Sequence, residues 1–191
     1  MSGNWSPQLV DVVCEYENVS RDAQRLADRL SDAAFARAPA PDRWSPAECL
    51  AHLTITTKVY LPIIRAGMYK AQALPPAQGR YRRDLTGWLL SRSLEPSSRV
   101  KIKTPHRFEP VHLRPRAEVI GEFIRSQREL AGLVAECLGL DLRRVKVASP
   151  FNPKMRYNLY SCLKIIAAHE RRHIAQAEAA APPRDRRAPI A

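Results

Sequence analysis

Four stretches of the chain repeat apolar residues at three- and four-residue steps, the spacing of a helix with one face turned inward. The first runs roughly from Ser6 to Ala34 and carries Leu9, Val12, Val13, Tyr16, Val19, Leu26 and Leu30. Ala38-Pro39-Ala40-Pro41 ends it. Ser45-Pro46-Ala47-Glu48 announces the second: Ser45 suits the N-cap, Pro46 the first helical position, and Glu48 completes a capping box. This helix carries Leu50, His52, Leu53, Ile55, Val59 and Ile63 and runs to about Ala73, with a kink expected at Pro62. The third spans roughly Pro115 to Leu138. The fourth, Tyr157 to Ala180, contains neither Gly nor Pro.

The pattern fails between residues 75 and 114, where Pro75, Pro76, Pro96, Pro105 and Pro110 interrupt it. Asp84 to Ser91 suits a helical turn or two around Trp88, and Lys101-Ile102-Lys103 an extended segment. Leu140 to Asn152 reads as a plain connection. A loop as long as 75–114 is unusual unless it crosses the domain or builds a site. The expected fold is therefore all-α: a four-helix bundle with a long irregular crossover between helices two and three, which lets those two run parallel. Residues 1–180 are expected to form one domain, with 181–191 an exposed tail.

Composition narrows the function classes. Apolar content of 45% and charged content of 26% are ordinary for a globular chain. No apolar run is long enough for a membrane span, and the N-terminal residues show no signal-peptide pattern. Cys14, Cys49, Cys137 and Cys162 are scattered without a CxxC pair, which suits a reducing cytoplasm. The net charge of +12 is concentrated: residues 80–116 hold ten Lys/Arg against three Asp/Glu. Arg184, Arg186 and Arg187 add to it. No nucleic-acid motif accompanies this bias, so a solvated basic face, or a rim for an anionic substrate, is the preferred reading over a nucleic-acid binder.

The chemistry is concentrated in His169-Glu170-Arg171-Arg172-His173. Histidines four residues apart share a helix face, so both imidazoles can reach one divalent metal. His-Glu-x-x-His also spells a metalloprotease motif with Glu170 as general base. The 18 residues after His173 argue against it, since they hold no third His and only Glu178 as a further Glu. His52 is the better third ligand. If helices two and four are antiparallel, it falls at the level of His169 and His173; otherwise it is a hydrogen-bonded core histidine. Imidazole ligands alone suit zinc, nickel, copper and iron alike. His106 and His112 suit surface or lining roles.

Arg43-Trp44-Ser45-Pro46-Ala47-Glu48-Cys49-Leu50-Ala51-His52-Leu53, followed by His169-Glu170-Arg171-Arg172-His173-Ile174-Ala175-Gln176, resembles the DinB/YfiT-like superfamily. The resemblance implies an up-down-down-up bundle and one divalent metal, nickel or zinc, held by His52, His169 and His173. It further implies a small-molecule substrate, a low-molecular-weight thiol such as bacillithiol or mycothiol, in an S-transferase or isomerase reaction, and a homodimer. The alternative is a non-catalytic stress-related binding protein with a structural metal.

Neighbouring residues have more than one reading. Glu48 is either the capping-box partner or a hydrogen-bond partner for a ligand imidazole. Glu170 is expected to meet an Arg across a helix interface, with a general base as its second reading. Arg172 is expected to point away from the inner stripe. Gln176 suits a contact with water or substrate, or one between helices. Cys49 and Cys162 read as small core residues, and Trp44 as packing at a bundle end.

Overall fold

The computed structural model describes residues 6–100, 104–111 and 114–182. Six helices and one two-stranded hairpin follow in chain order: α1 (Pro7–Asp28), α2 (Asp32–Ala36), α3 (Pro46–Gln72), α4 (Leu85–Ser93), α5 (Arg116–Glu136), β1 (Lys146–Ala148), β2 (Arg156–Asn158) and α6 (Leu159–Ala180). A single 3-10 turn, His106–Phe108, lies between α4 and α5. The long helices pack as a helical bundle, with α1 and α3 each touching both α5 and α6.

Side-chain pairs give the directions. Tyr16 of α1 donates to the Leu163 carbonyl of α6 at 2.8 Å, and Arg29 just beyond α1 pairs with Glu178. These two helices therefore run the same way. Lys58 meets Glu122 and Arg65 meets Glu129, so α3 and α5 also share a direction. Between α3 and α6 the order reverses: His52 faces His169, while Tyr60 meets Tyr157 just before α6. The level match required of His52 is thus met.

The apolar core divides into two clusters. One gathers Leu9, Tyr16, Ile64, Leu130, Leu163 and Ile166. The other gathers Leu26, Leu50, Leu53, Phe123 and Ile174. Between them every long helix but α1 contributes buried polar residues: Thr54, Thr56 and Thr57 from α3, Ser126 and Gln127 from α5, His169, Glu170 and His173 from α6. Burying polar groups costs free energy unless they are partnered, so this layer is where function is expected.

Three expectations need correction. The first helix ends at Asp28 rather than Ala34, because Ser31 caps a separate short helix, accepting from Ala34 N–H at 3.2 Å. The 140–152 connection contains a strand, paired antiparallel with β2 from Val147 opposite Tyr157. Its buried Val145 and Val147 flank exposed Lys146, an alternation too short to stand out beside long helices. Tyr157 consequently belongs to a strand, and Asn158 caps α6 by accepting from Ser161 N–H at 2.7 Å. The helical turns expected near Trp88 do form, as α4, capped by Asp84. The proposed extension at Lys101-Ile102-Lys103 lies outside the described residues.

The crossover is fastened by its own cations. Arg83 donates to Ser91, Arg107 to the Pro150 carbonyl, and Arg116 to the Ala27 and Leu30 carbonyls; Arg114 pairs with Glu122. Part of the basic segment is therefore structural. All four cysteines are free. Among the described residues, no helix is long and apolar enough to cross a membrane.

Candidate metal centre

The capping box forms as the sequence predicts. Ser45 N–H donates to Glu48 Oε2 at 2.7 Å and Glu48 N–H donates to Ser45 Oγ at 3.2 Å. It fixes the start of α3 and so the height of His52, two turns in. His169 and His173 follow from the register of α6. One ring nitrogen from each of the three buried histidines lies within 4.8 Å of the others. His52 Nε2 and His169 Nε2 are 3.3 Å apart. Two imidazole ligands of a tetrahedral zinc, each at about 2.0–2.1 Å, would place their nitrogens roughly 3.3 Å apart. Ring centroids separate by 4.5 Å for His52 and His173, and by 4.6 Å for His169 and His173.

Residues 15–177 match the DinB superfamily. The chain belongs to the DinB superfamily. Neither a curated protein nor a solved structure matches it. The match spans both motifs that carried the resemblance. This DinB protein therefore has a buried three-histidine cluster that can hold a metal.

The cluster's electrostatics favour neutral imidazoles. Burial pushes His169 down to about 3, with the His52 and Arg172 charges acting in the same direction. Burial, then His169, His52 and Arg172, holds His173 well below the ordinary histidine range. Burial also lowers His52, against a hydrogen bond to Phe108 that raises it. Neutral imidazoles present lone pairs, which is the form a metal requires. His173 Nδ1 is buried without a hydrogen-bond partner. An orphaned buried nitrogen is the kind of group that a bound ion or water satisfies. The donor set thus fits a divalent metal.

The crossover supplies a partner that no sequence pattern announced. His52 Nδ1 lies 2.7 Å from the Phe108 carbonyl oxygen. With the proton on Nδ1, donated to that carbonyl, Nε2 is left free to face His169. Trp44 is also placed differently from expectation. Instead of packing only at a bundle end, its ring lies 4.8 Å from that of His52 and stacks 5.7 Å from that of His173. Phe151, from the loop between β1 and β2, lies 5.9 Å from His169.

Glu170 does not pair with an arginine. It is buried, accepting from Gln127 Nε2 at 2.7 Å and from Thr57 Oγ1 at 3.3 Å. Burial pushes its carboxyl up to about 8, against those two hydrogen bonds. The expected ion pair fails because α5 presents an amide and α3 a hydroxyl at this level. Arg171 pairs instead with Glu15 and Glu95. Glu48 is occupied by the capping box, so its capping reading holds. Cys49 lines the cavity beside the cluster and Cys162 lies in the core; burial raises both thiols, Cys49 to about 12. His106 is exposed and pairs with Glu109. His112 lies outside the described residues.

A cavity of about 630 Å³ opens over the cluster. All three histidines line it, together with Trp44, Phe151 and Gln176. Its far wall is the crossover, through Leu90 and Leu94 of the α4 region and Thr104-Pro105. Arg172, expected to point away, lines the cavity as well.

Proposed function

We propose that this DinB protein holds one divalent metal, nickel or zinc, through His52, His169 and His173, and that it is a metal-dependent S-transferase acting on a low-molecular-weight thiol. The observation that carries the metal reading is the convergence of three buried imidazoles in the wall of a ligand-sized cavity. Three protein ligands leave an open position, the pattern of catalytic rather than purely structural zinc sites. A metal bound there would favour the thiolate form of a coordinated thiol.

The chain's own residues do the rest. Phe108 holds the His52 tautomer through its carbonyl. Trp44 and Phe151 shield the imidazoles from bulk water. The buried thiols of Cys49 and Cys162 are poor nucleophiles, so the reacting sulfur comes from the substrate. The four long helices are read as the up-down-down-up bundle of the family, supported by the directions of their side-chain pairs. Residues 1–180 are read as one domain, acting in a reducing cytoplasm as a homodimer.

The test is elemental analysis of untagged protein beside His52→Ala and His173→Ala. One equivalent of nickel or zinc in the wild type, lost in each variant while helical circular dichroism persists, is the expected result. Full metal retention in the variants would sink the site. Turnover of a thiol with an electrophile, abolished by chelation, then supports the transferase. Metal without turnover leaves the non-catalytic stress-related binding protein.

A further inference from the structure

The cavity over the histidines carries positive charge with little to balance it. Arg172 sits one residue before His173 and three after His169, and its charge reaches both imidazoles. Its guanidinium donates to the carbonyl oxygens of Ser93 at 3.1 Å and Val100 at 2.7 Å. Carbonyls orient a guanidinium but do not neutralise it. Among the described residues no carboxylate pairs with Arg172. Arg43 lies at the rim of the same cavity, and Asp42, the single acid of the lining among the described residues, is exposed there. The imidazoles bring no negative charge, and a divalent metal would add two positive ones.

We propose that Arg172, assisted by Arg43, is the subsite for an oxyanion, and that the cavity's ligand is a small organic anion with an apolar body. The inference rests on reading this cavity as the substrate site. A guanidinium has five N–H donors, and two are committed to carbonyls. The remainder can hold a carboxylate or phosphate through charge-assisted hydrogen bonds, favoured here by partial burial. The two carbonyl contacts hold the guanidinium in place before the ligand arrives, which lowers the ordering cost of binding. Leu90, Leu94, Trp44, Phe151 and Met155 supply apolar walls for the body of the molecule. The volume of about 630 Å³ lies within the range of small-molecule sites. Arg172 therefore selects which molecule sits over the histidines, and does so from their own helix.

The experiment is calorimetric titration of the full chain with phenylacetate, phenyl phosphate and uncharged phenylacetamide, before and after chelation. Binding of either anion at least about tenfold tighter than the amide, persisting after chelation and collapsing to near parity in Arg172→Gln, is the expected result. The relative strength of the two anions tells a carboxylate from a phosphate ligand. Equal binding of acid and amide, or a preference unchanged in Arg172→Gln, would overturn the subsite. So would a preference that vanishes with chelation alone, since the metal would then be the anion's partner. If the protein holds no metal, chelation changes nothing and the Arg172 comparison still decides. Should Arg172→Gln fail to fold, wild-type protein is treated with phenylglyoxal with and without phenylacetate. Protection of Arg172, read by peptide mass spectrometry, supports the subsite, and equal labelling refutes it.

Discussion

The Nδ1 of His52 lies 2.7 Å from the carbonyl oxygen of Phe108, 56 residues further along the chain. The contact makes the crossover part of the centre: one backbone oxygen sets which nitrogen of His52 faces the other imidazoles. Phe108 is held there by its ring, packed 4.4 Å from that of Phe151. Phe108→Ala is expected to loosen this carbonyl and weaken metal binding about 10–100-fold, the usual cost of losing a partner that orients a ligand. Chelator competition measures it. Unchanged affinity would show that the carbonyl does not orient His52.

Glu170 tests the protease-like reading of His-Glu-x-x-His. Its partners are Gln127 and Thr57, and none of the three lines the cavity. Glu170→Gln can keep both hydrogen bonds and is expected to retain a full metal equivalent. Glu170→Leu leaves two buried donors without an acceptor and is expected to cost about 1–3 kcal/mol in denaturant unfolding. Loss of metal in Glu170→Gln would place the carboxylate in the centre instead.

Gly87 lets α4 approach α6. A Cβ at this position would overlap the Cβ and Oγ of Ser161, whose hydroxyl is already bonded to the Asp84 backbone and side chain. Neither atom is the free end of a flexible chain, so relief requires moving a helix. Gly87→Ala is expected to destabilise the protein by about 1–3 kcal/mol despite alanine's better helix propensity. A thermal midpoint equal to or above the wild type would contradict the packing described.

The sign of one pH effect follows from Glu122. Its hydrogen bond to Arg114, aided by Lys58, holds the carboxyl at about 2, against a smaller opposing effect of burial. A carboxyl depressed in the folded state adds stability above its ordinary value near 4.5, and loses it as pH falls toward 2. Wild type is therefore expected to exceed Glu122→Gln by a steady margin at neutral pH, below about 1 kcal/mol because the pair is at the surface. That margin should close in acid. Urea denaturation across a pH series reads it, and a gap independent of pH would remove the ion pair as its cause.

Much of this protein is written locally. Three- and four-residue apolar steps placed all four long helices, because a helix face repeats with its own backbone. Ser45 and Glu48 marked the start of α3 because the capping box closes within four residues. The spacing of His169 and His173 put them on one face, and the direction of α6 against α3 brought His52 to them.

The remainder depended on contacts that have no period. The break before α2 rests on one serine acting as a cap where an unbroken helix was equally compatible with the pattern. The hairpin is too short to register beside long helices. The carbonyl of Phe108 is a backbone group, present at every residue and therefore silent in sequence. Arg172 faces the cavity because the crossover offers it two carbonyls there, and Trp44, just before α3, covers His173 as well as His52 because α6 packs against the start of α3. Sequence by itself determined the four long helices and the His169 and His173 pair, since each is specified over a few residues, while His52 joined them through the antiparallel packing of α3 and α6. Only the tertiary structure decided what surrounds them, because the path of the crossover is set by side chains meeting across the fold.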